Sequence, residues 1–227
     1  MAETKIKAVA FDAFTVFDPR PVFELCEKLF GHGGATLANV WRTRQFEYTW
    51  LRSLSHRYAD FWKVTEDALV FAAKLTNTDL SAANRTQLMQ SYLELKPWQD
   101  APSALKTLHV AKVRLVFLSN FTPKMLESNV RGSGLEGMFD QLLSTDAART
   151  YKPDPRAYQL AVDTLKLKRE EIAFAAFANW DAAGAKSFGY PTFWNNRLRQ
   201  PLEELGVKPD AIGETLADLV SFIEPKK

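Results

Sequence analysis

The segment VAFDAFTVFD, residues 9–18, decides how the rest of the chain is interpreted. An apolar run leads directly into the carboxylate of Asp12, and a second carboxylate follows at Asp18. A core strand that ends on a charged group places that group at the carboxyl end of a sheet, where ligands bind in open α/β folds. One such carboxylate is weak evidence by itself, because it can simply cap the next helix.

Similar apolar runs recur along the chain, and each is followed by a polar turn and a helical pattern. They are residues 6–11, 113–120, 141–145, 172–178 and 190–196. Continuous runs rich in Val, Ile, Leu and Phe are typical of parallel strands that are covered on both faces. The alternation with helical stretches predicts an α/β fold with a doubly wound, Rossmann-like parallel sheet.

The interval between the first two predicted strands carries helix patterns only, and it is far longer than a βαβ crossover requires. The helical stretches are residues 21–30, 36–55, 61–75 and 81–95. We therefore predict a helical cap subdomain, residues 19–96, inserted into a core domain of residues 1–18 and 97–227. The cap is expected to cover the carboxyl ends of the sheet.

Composition and charge exclude several classes of protein. Of the 227 residues, 46% are hydrophobic and 25% are charged, which is ordinary for a globular protein. The net charge of +2 is too balanced to indicate a nucleic-acid partner, whereas a small anionic substrate is compatible with it but not implied. Cys26 is the only cysteine, so we expect a reducing, cytoplasmic location. No apolar run is long enough for a signal peptide or a membrane span, so no membrane partner is expected.

Polar side chains follow four of the predicted strands. They are Asp12 after the first, Ser119 and Asn120 after the second, Lys152 after the third, and Asn179 and Asp181 after the fourth. Because the carboxyl ends of parallel strands meet at one edge of a sheet, these groups are expected to share one pocket.

The chain resembles the haloacid dehalogenase superfamily and, within it, the 2-haloacid dehalogenases that act on L-2-haloacids. The segments that carry the resemblance are FDAF and VFD on either side of Thr15, WRTRQFEYTWLRSLSHRY, FWKVTEDAL, FLSN, STD, YKPDPRAY and WDAAGAKSFGYPT. They cover nearly the whole chain in the order and spacing of that family. The cap segment beginning WR is much more specific to the dehalogenase branch than the core motifs are.

The resemblance implies hydrolysis of short 2-haloalkanoic acids to 2-hydroxy acids, without a metal or another cofactor. Asp12 would attack the halogen-bearing carbon to form an aspartyl ester, which water, helped by Asp181, would then hydrolyse. Lys152 would keep Asp12 ionised under a closed cap, because an opposite charge lowers the pKa of a carboxylate. Arg42 would stabilise the departing halide and hold the substrate carboxylate.

The resemblance also implies a homodimer and a set of supporting residues. Ser119 and Asn120 would donate hydrogen bonds to the halide and the carboxylate. The predicted substrate- and halide-binding set is Arg42, Asn120, Thr15, Tyr158, Phe61, Phe46, Trp180 and Asn179. Without the resemblance, the pattern would favour a surface position for Arg42, a packing role for Tyr158 and core positions for Phe61 and Trp180. Lys152 and Asp181 would then form a plain ion pair between neighbouring strand ends.

Phe14 argues against a phosphatase of the same superfamily. Phosphatases of this kind carry a second aspartate two residues after the nucleophile, and it acts as general acid and base. Phe14 occupies that position, and a phenyl ring cannot protonate a leaving group. Halide needs no proton to leave, so the sequence favours displacement at carbon.

The first motif, DAFTVFD, is one residue shorter than the family pattern. Either Thr15 or Val16 then takes the place of the motif threonine. Thr15 is favoured, because a deletion before it keeps the following Phe17 and Asp18 aligned with the family.

Two other segments of the sequence also depart from the family pattern. Ala176 and Ala178 stand where the family has a serine and an asparagine. Asn179 need not recover the lost contact, since successive strand residues face opposite sides, so the positioning of water or of Asp181 is expected to differ. Phe121 is expected to narrow the site toward small acids such as haloacetate.

Two other functions stay open beside the dehalogenase. One is a Mg²⁺-dependent phosphatase of the same fold, and the other is a non-catalytic binding protein that lost efficient hydrolysis through Ala176 and Ala178. A serine hydrolase of the α/β-hydrolase type is disfavoured, because the sequence contains no G-x-S-x-G elbow.

Overall fold

A parallel sheet of six strands is the centre of the structure, a computed structural model that describes residues 5–223. The helices and strands in these residues are, in chain order, β1 (Ala8–Phe11), α1 (Ala13–Val16), β2 (Phe17–Asp18), α2 (Arg20–Phe30), α3 (Gly34–Leu54), α4 (Phe61–Leu75), α5 (Ala82–Ser91), β3 (Lys96–Pro97), α6 (Ala101–Val110), β4 (Arg114–Ser119), α7 (Pro123–Gly132), β5 (Gln141–Ser144), α8 (Pro155–Leu165), β6 (Ile172–Ala176), α9 (Asn179–Phe188), β7 (Thr192–Asn195), β8 (Ala211–Gly213) and α10 (Leu216–Ile223). The large sheet has the order β5-β4-β1-β6-β7-β8, and each neighbouring pair is parallel.

Strand β1 lies in the interior of this sheet because its sequence, AVAF, is apolar on both faces. Phe11 is paired in register with Phe117 of β4 on one side and with Ala175 of β6 on the other. Val9 and Phe11 belong to one apolar cluster, and Ala8 and Ala10 to a second cluster across the sheet. The chain runs outward from β1 through β4 to β5 and then continues on the other side at β6, so the predicted doubly wound α/β fold is confirmed.

Helices cover both faces of the sheet. Leu105 of α6, Met125 of α7 and Leu216 of α10 are buried in the cluster on one face. Tyr158 of α8 and Ala182 of α9 are buried in the cluster on the other face. None of the helices within residues 5–223 is long and apolar enough to cross a membrane.

Helices α2 to α5 follow one another in the chain between strands β2 and β3. The chain enters and leaves this segment through a short antiparallel pair in which Asp18 of β2 lies opposite Lys96 of β3. Asp60 accepts a hydrogen bond of 2.8 Å from the backbone N–H of Lys63 and so begins α4. The division into a core (1–18, 97–227) and a cap (19–96), with boundaries at this pair, stays a prediction.

The last predicted cap helix is shorter than its pattern indicates, because α5 ends at Ser91 rather than at residue 95. Asn129 of α7 is the physical reason. Its side chain donates a hydrogen bond of 2.9 Å to the carbonyl of Tyr92 and accepts one of 2.8 Å from the N–H of Leu95. These contacts satisfy backbone groups that a continued helix would have paired internally.

Several elements have no counterpart among the sequence predictions. Helix α6, strand β8 and helix α10 were not predicted. The strand predicted over residues 172–178 stops at Ala176, because the chain turns at the next residues to begin α9.

Candidate active site

A small, partly enclosed pocket lies where the carboxyl ends of β1, β4 and β6 meet helix α3. Its walls are formed by both polar and aromatic side chains. The lining residues are Asp12, Phe14, Arg42, Phe46, Phe61, Ser119, Asn120, Phe121, Phe177, Ala178, Trp180 and Asp181. The topology therefore brings the ends of three strands and one cap helix to a single site.

Asp12 follows the last residue of β1 and is also the N-cap of α1. Its Oδ2 accepts a hydrogen bond of 3.1 Å from the N–H of Phe14, and its Oδ1 accepts one of 2.9 Å from Nζ of Lys152. Capping and ion pairing thus use different oxygens of one carboxylate. The remaining lone pairs lie at the pocket, where the side chain keeps 13% of its surface exposed.

Lys152 is almost completely buried and bridges two carboxylates. Its Nζ lies 2.9 Å from Oδ1 of Asp12 and 2.6 Å from Oδ2 of Asp181. Burial alone would lower the pKa of the ammonium, but the two carboxylates outweigh it and raise that pKa above the ordinary lysine value. Lys152 therefore remains charged and counters two negative charges at the base of the pocket.

Asp181 lies in the first turn of α9 and is 1% exposed. Its Oδ1 accepts a hydrogen bond of 2.7 Å from the hydroxyl of Tyr158, while its Oδ2 faces Lys152. Burial raises the pKa of Asp181 to about 6, and the charge of Asp12 adds to this effect while Lys152 opposes it. One lysine cannot fully compensate two nearby carboxylates, so an upward shift is the physically expected direction.

Ser119 and Asn120 end strand β4 and contribute polar groups to the pocket. The Oδ1 of Asn120 accepts hydrogen bonds from Oγ1 of Thr145 at 3.2 Å and from the N–H of Lys152 at 3.1 Å. This fixes the amide orientation and leaves the NH₂ group as the donor. The Oγ of Ser119 accepts a hydrogen bond of 3.1 Å from the N–H of Phe121, so its own proton stays available.

Arg42 enters the pocket from α3, opposite the strand ends. Its Cζ lies 4.7 Å from the ring centroid of Phe14 and 4.3 Å from that of Phe46. Burial lowers the pKa of the guanidinium and the Asp12 carboxylate opposes that shift, and an arginine keeps its proton throughout. Helix α3 therefore supplies a permanent positive charge to a pocket whose floor contains two carboxylates and one lysine.

Aromatic rings form the rest of the wall. The ring of Phe121 makes edge contacts with Phe14 at 5.1 Å between centroids and packs against Phe61 at 5.6 Å. On the other side Trp180 packs against Phe46 at 5.3 Å. Rings at this edge keep water away from the charged groups and strengthen their interactions.

Three of the predicted binding residues do not line the pocket. Tyr158 is buried behind Asp181, because its position early in α8 directs the hydroxyl to that carboxylate. The hydroxyl of Thr15 donates to the backbone oxygen of Asp12 at 2.6 Å and is fully buried, and Val16 is apolar, so neither presents a hydroxyl to the pocket. The Oδ1 of Asn179 accepts a hydrogen bond of 2.6 Å from the N–H of Glu203, which directs that side chain to the C-terminal segment.

The other predicted residues are brought together. Asp12, Arg42, Phe46, Phe61, Ser119, Asn120, Trp180 and Asp181 all line the pocket. Lys152 lies directly beneath it. Ala178 also lines it, so a methyl group stands where the family has an asparagine, whereas Ala176 is buried in the cluster on the other face of the sheet.

Sequence reasoning missed the contributions of Phe177 to the wall and of Gln45 and Thr65 behind Arg42. Nothing in the local pattern distinguishes these residues from ordinary core positions. Across residues 5–223, no three His, Cys, Asp or Glu side chains are grouped so as to hold a metal ion.

The chain matches a family model and known proteins over most of its length. The family model described as haloacid dehalogenase-like hydrolase matches residues 6–189. The (S)-2-haloacid dehalogenase of Pseudomonas sp. (strain YL) is 41% identical over 220 residues, which cover 96% of this chain and 95% of that protein.

Solved structures of dehalogenases superpose closely on the chain. The L-2-haloacid dehalogenase RSc1362 has a TM-score of 0.95 and 40% identity, with 98% of this chain and 100% of that chain covered. The L-2-haloacid dehalogenase of Xanthobacter autotrophicus with chloropropionic acid covalently bound has a TM-score of 0.88 and 33% identity. The match covers 96% of this chain and 98% of that chain.

Proposed function

Because the chain belongs to the haloacid dehalogenase-like hydrolase family, we propose that it hydrolyses short 2-haloalkanoic acids to 2-hydroxy acids and halide. The reaction would pass through a covalent ester on Asp12. Support comes from the Xanthobacter relative, which carries chloropropionic acid covalently bound.

In the first step a carboxylate oxygen of Asp12 attacks the carbon that bears the halogen. The C–O bond of the ester forms as the carbon–halogen bond breaks, and the halide leaves with the bonding electron pair. Arg42 holds the substrate carboxylate and stabilises the departing halide, since its charge is permanent and its N–H groups form a fork. Ser119 and Asn120 donate hydrogen bonds to the same two anions.

In the second step water attacks the carbonyl carbon of the ester. Asp181 accepts a proton from that water as the new C–O bond forms. The bond between the carbonyl carbon and the oxygen that joins it to the substrate then breaks, and this oxygen, which belonged to Asp12, takes the proton from Asp181 and leaves as the hydroxyl of the 2-hydroxy acid. The water oxygen replaces it in the carboxylate of Asp12, which loses its remaining proton to solvent. Lys152 stabilises the negative charge that develops on the ester oxygen, because its Nζ contacts Asp12 directly.

The bridge from Lys152 to both carboxylates is the observation that carries this proposal. Asp12 must be ionised to attack, and Asp181 must be close enough to activate water at the same carbon. A single buried ammonium within 2.9 Å of both carboxylates meets these two requirements together.

Phe14 supports displacement at carbon over phosphoryl transfer. The ring lines the pocket two residues after Asp12 and packs against Phe121, so no proton donor occupies that position. Ala178, by contrast, keeps the non-catalytic binding protein as an alternative, because a methyl group stands where the family has a polar side chain.

Assays of halide release and phosphate release distinguish the dehalogenase, the phosphatase and the non-catalytic binding protein. The protein is incubated with chloroacetate, with 2-chloropropionate and with p-nitrophenyl phosphate, each with and without EDTA. Chloride release that EDTA does not abolish supports the dehalogenase. Phosphate release that requires Mg²⁺ supports the phosphatase, and a folded protein that is inactive on all three supports the binding protein.

We also propose that the chain forms a homodimer in the cytoplasm. Leu51 and Leu54 at the end of α3 are exposed by 58% and 79%, which offers an apolar surface for a second copy. Burial raises the pKa of the Cys26 thiol to about 12, as suits an unreactive thiol in a reducing compartment. Sedimentation equilibrium tests the dimer, and cell fractionation tests the location.

A further inference from the structure

A chain of hydrogen bonds runs from Arg42 into the cap, away from the pocket. Nη1 of Arg42 donates to Oε1 of Gln45 at 3.3 Å, and Nε2 of Gln45 donates to Oγ1 of Thr65 at 2.8 Å. The hydroxyl of Thr65 donates to the backbone oxygen of Phe61 at 2.6 Å. Gln45 and Thr65 are fully buried, and Phe61 itself lines the pocket.

The donor-to-acceptor direction of this series of hydrogen bonds is fixed by its last acceptor, the backbone oxygen of Phe61. A backbone carbonyl only accepts, so the single hydroxyl proton of Thr65 goes to Phe61. The oxygen of Thr65 can then only accept from Gln45, which orients the amide with its NH₂ group toward Thr65. The carbonyl oxygen of Gln45 must consequently face Arg42, the one orientation in which the amide attracts a guanidinium.

Helix α3 is attached to Thr65 on both sides of the arginine. Trp41, which precedes Arg42, donates a hydrogen bond of 2.8 Å from Nε1 to the backbone oxygen of Thr65. Gln45, three residues after Arg42, contacts the hydroxyl of the same threonine. The segment that carries the arginine is thereby held at a defined place on α4.

The phenyl rings beside Arg42 cannot orient its guanidinium in the way that its hydrogen bond to Gln45 does. Phe14 and Phe46 flank the guanidinium of Arg42 at 4.7 and 4.3 Å, and a cation–π contact tolerates rotation and sliding over the ring face. The hydrogen bond from Arg42 to Gln45 is directional and anchors one N–H group away from the pocket. The buried hydroxyl of Tyr92 also lies close to the guanidinium, and the remaining N–H groups can face a ligand.

We propose that Gln45 and Thr65 are positioning residues, which orient the guanidinium of Arg42 so that its free N–H groups meet the carboxylate and the halide of the substrate. This inference rests on the proposed function, since it assigns a structural basis to the anion contact of that same site. Neither residue touches the substrate.

The test compares Thr65→Val with Thr49→Val, a matched pair of buried cap substitutions. Thr49 is also fully buried, and its hydroxyl donates to the backbone oxygen of Phe46 at 2.6 Å rather than contacting the side chain of Gln45. Thr65→Ser is the conservative variant that keeps the hydroxyl. Gln45→Met provides a second way to break the chain if Thr65→Val fails to fold, which circular dichroism checks.

The readouts are kcat, KM for chloroacetate, and the inhibition constant for added chloride. We expect Thr65→Val and Gln45→Met to lower kcat/KM about tenfold, mainly through KM, and to weaken chloride inhibition. This corresponds to about 1.4 kcal/mol. Thr65→Ser and Thr49→Val should stay within about twofold of the parent protein.

The inference would be overturned by an active parent protein in which Thr65→Val and Thr49→Val have equal effects, or in which Gln45→Met leaves KM and chloride inhibition unchanged. A parent protein that releases no halide overturns the proposed function and this inference with it. The two failures are therefore distinguishable.

Discussion

The hydroxyl of Tyr158 donates a hydrogen bond of 2.7 Å to Oδ1 of Asp181. Tyr158 is fully buried, and burial together with the charge of Asp181 raises the pKa of its phenol well above the ordinary value, so it acts as a neutral donor. Tyr158 was expected to line the pocket, but it instead holds by a hydrogen bond the carboxylate of Asp181, which would activate water.

Activity should decline as the pH falls through the titration of Asp181. Burial raises the pKa of this carboxyl to about 6, and only the ionised form can accept a proton from water. We expect kcat to fall toward tenfold per pH unit on the acid side, at a pH below 6, because the ester removes the charge of Asp12 that helps to raise the pKa of Asp181. The raised pKa of Lys152 places no loss at neutral pH. The measurement is kcat against pH at saturating chloroacetate; a profile that is flat between pH 7 and about 4 would contradict it.

Tyr158→Phe should move this acid limb to higher pH. The hydrogen bond from Tyr158 stabilises the charged form of Asp181 and lowers its pKa, so its removal raises that pKa further. Loss of one hydrogen bond to a charged group changes its pKa by roughly one unit, so the acid limb should move up by roughly one pH unit. Tyr190→Phe is the control, because its buried hydroxyl donates to the backbone oxygen of Tyr158 at 2.6 Å and not to Asp181. Equal profiles for both variants would refute the assignment.

Asp12→Asn should abolish turnover while leaving the protein folded. The asparagine oxygen can still accept from the N–H of Phe14 and cap α1, but an amide is a poor nucleophile. We expect kcat to fall by about 10⁴-fold or more. In the parent protein, mass spectrometry of a rapidly quenched reaction should find the ester on a peptide containing residue 12. Confirmed turnover without this adduct would exclude the covalent mechanism.

Lys152→Met should destabilise the protein most at neutral pH. Its removal takes away the ammonium that pairs directly with the carboxylates of Asp12 and Asp181. Breaking a buried ion pair typically costs about 3–5 kcal/mol of unfolding free energy. Because protonation relieves the repulsion between the carboxylates, the loss should be smaller at pH 5 than at pH 7.5. Urea unfolding at both values measures this, and a loss that grows toward acid pH would contradict the reasoning.

Tyr58→Phe should weaken the contact between the helical insertion and the core. The hydroxyl of Tyr58, in the segment between α3 and α4, donates a hydrogen bond of 2.6 Å to Oδ1 of Asp146, and its ring packs against Tyr151 at 5.2 Å. We expect KM for chloroacetate to rise about two- to fivefold with little change in kcat. Tyr48→Phe is the matched control, since its ring packs on Phe71 within the helical insertion. A similar rise in both variants would argue against a specific contact at Tyr58.

Local sequence patterns were sufficient for much of the fold. The apolar run before Asp12 places β1 inside the sheet, because AVAF has no polar face to expose. Helix α7 begins where the local sequence favours a helix start, since the side chain of Thr122 caps it and Pro123 occupies its first position. Helix α5 ends early because Asn129 reaches it from a distant part of the chain, and a local pattern contains no such information.

The sequence by itself determined which groups reach the edge of the sheet: Asp12, Asn120 and Asp181 follow apolar strands, and strand direction alone brings them together. Only the tertiary structure decided what each side chain does there. Tyr158 turns to Asp181, Asn179 turns to Glu203, and Gln45 and Thr65 orient Arg42. The physical reason is that periodicity encodes burial and the face of an element, whereas a hydrogen-bond partner depends on rotamers and on packing between elements far apart in the chain.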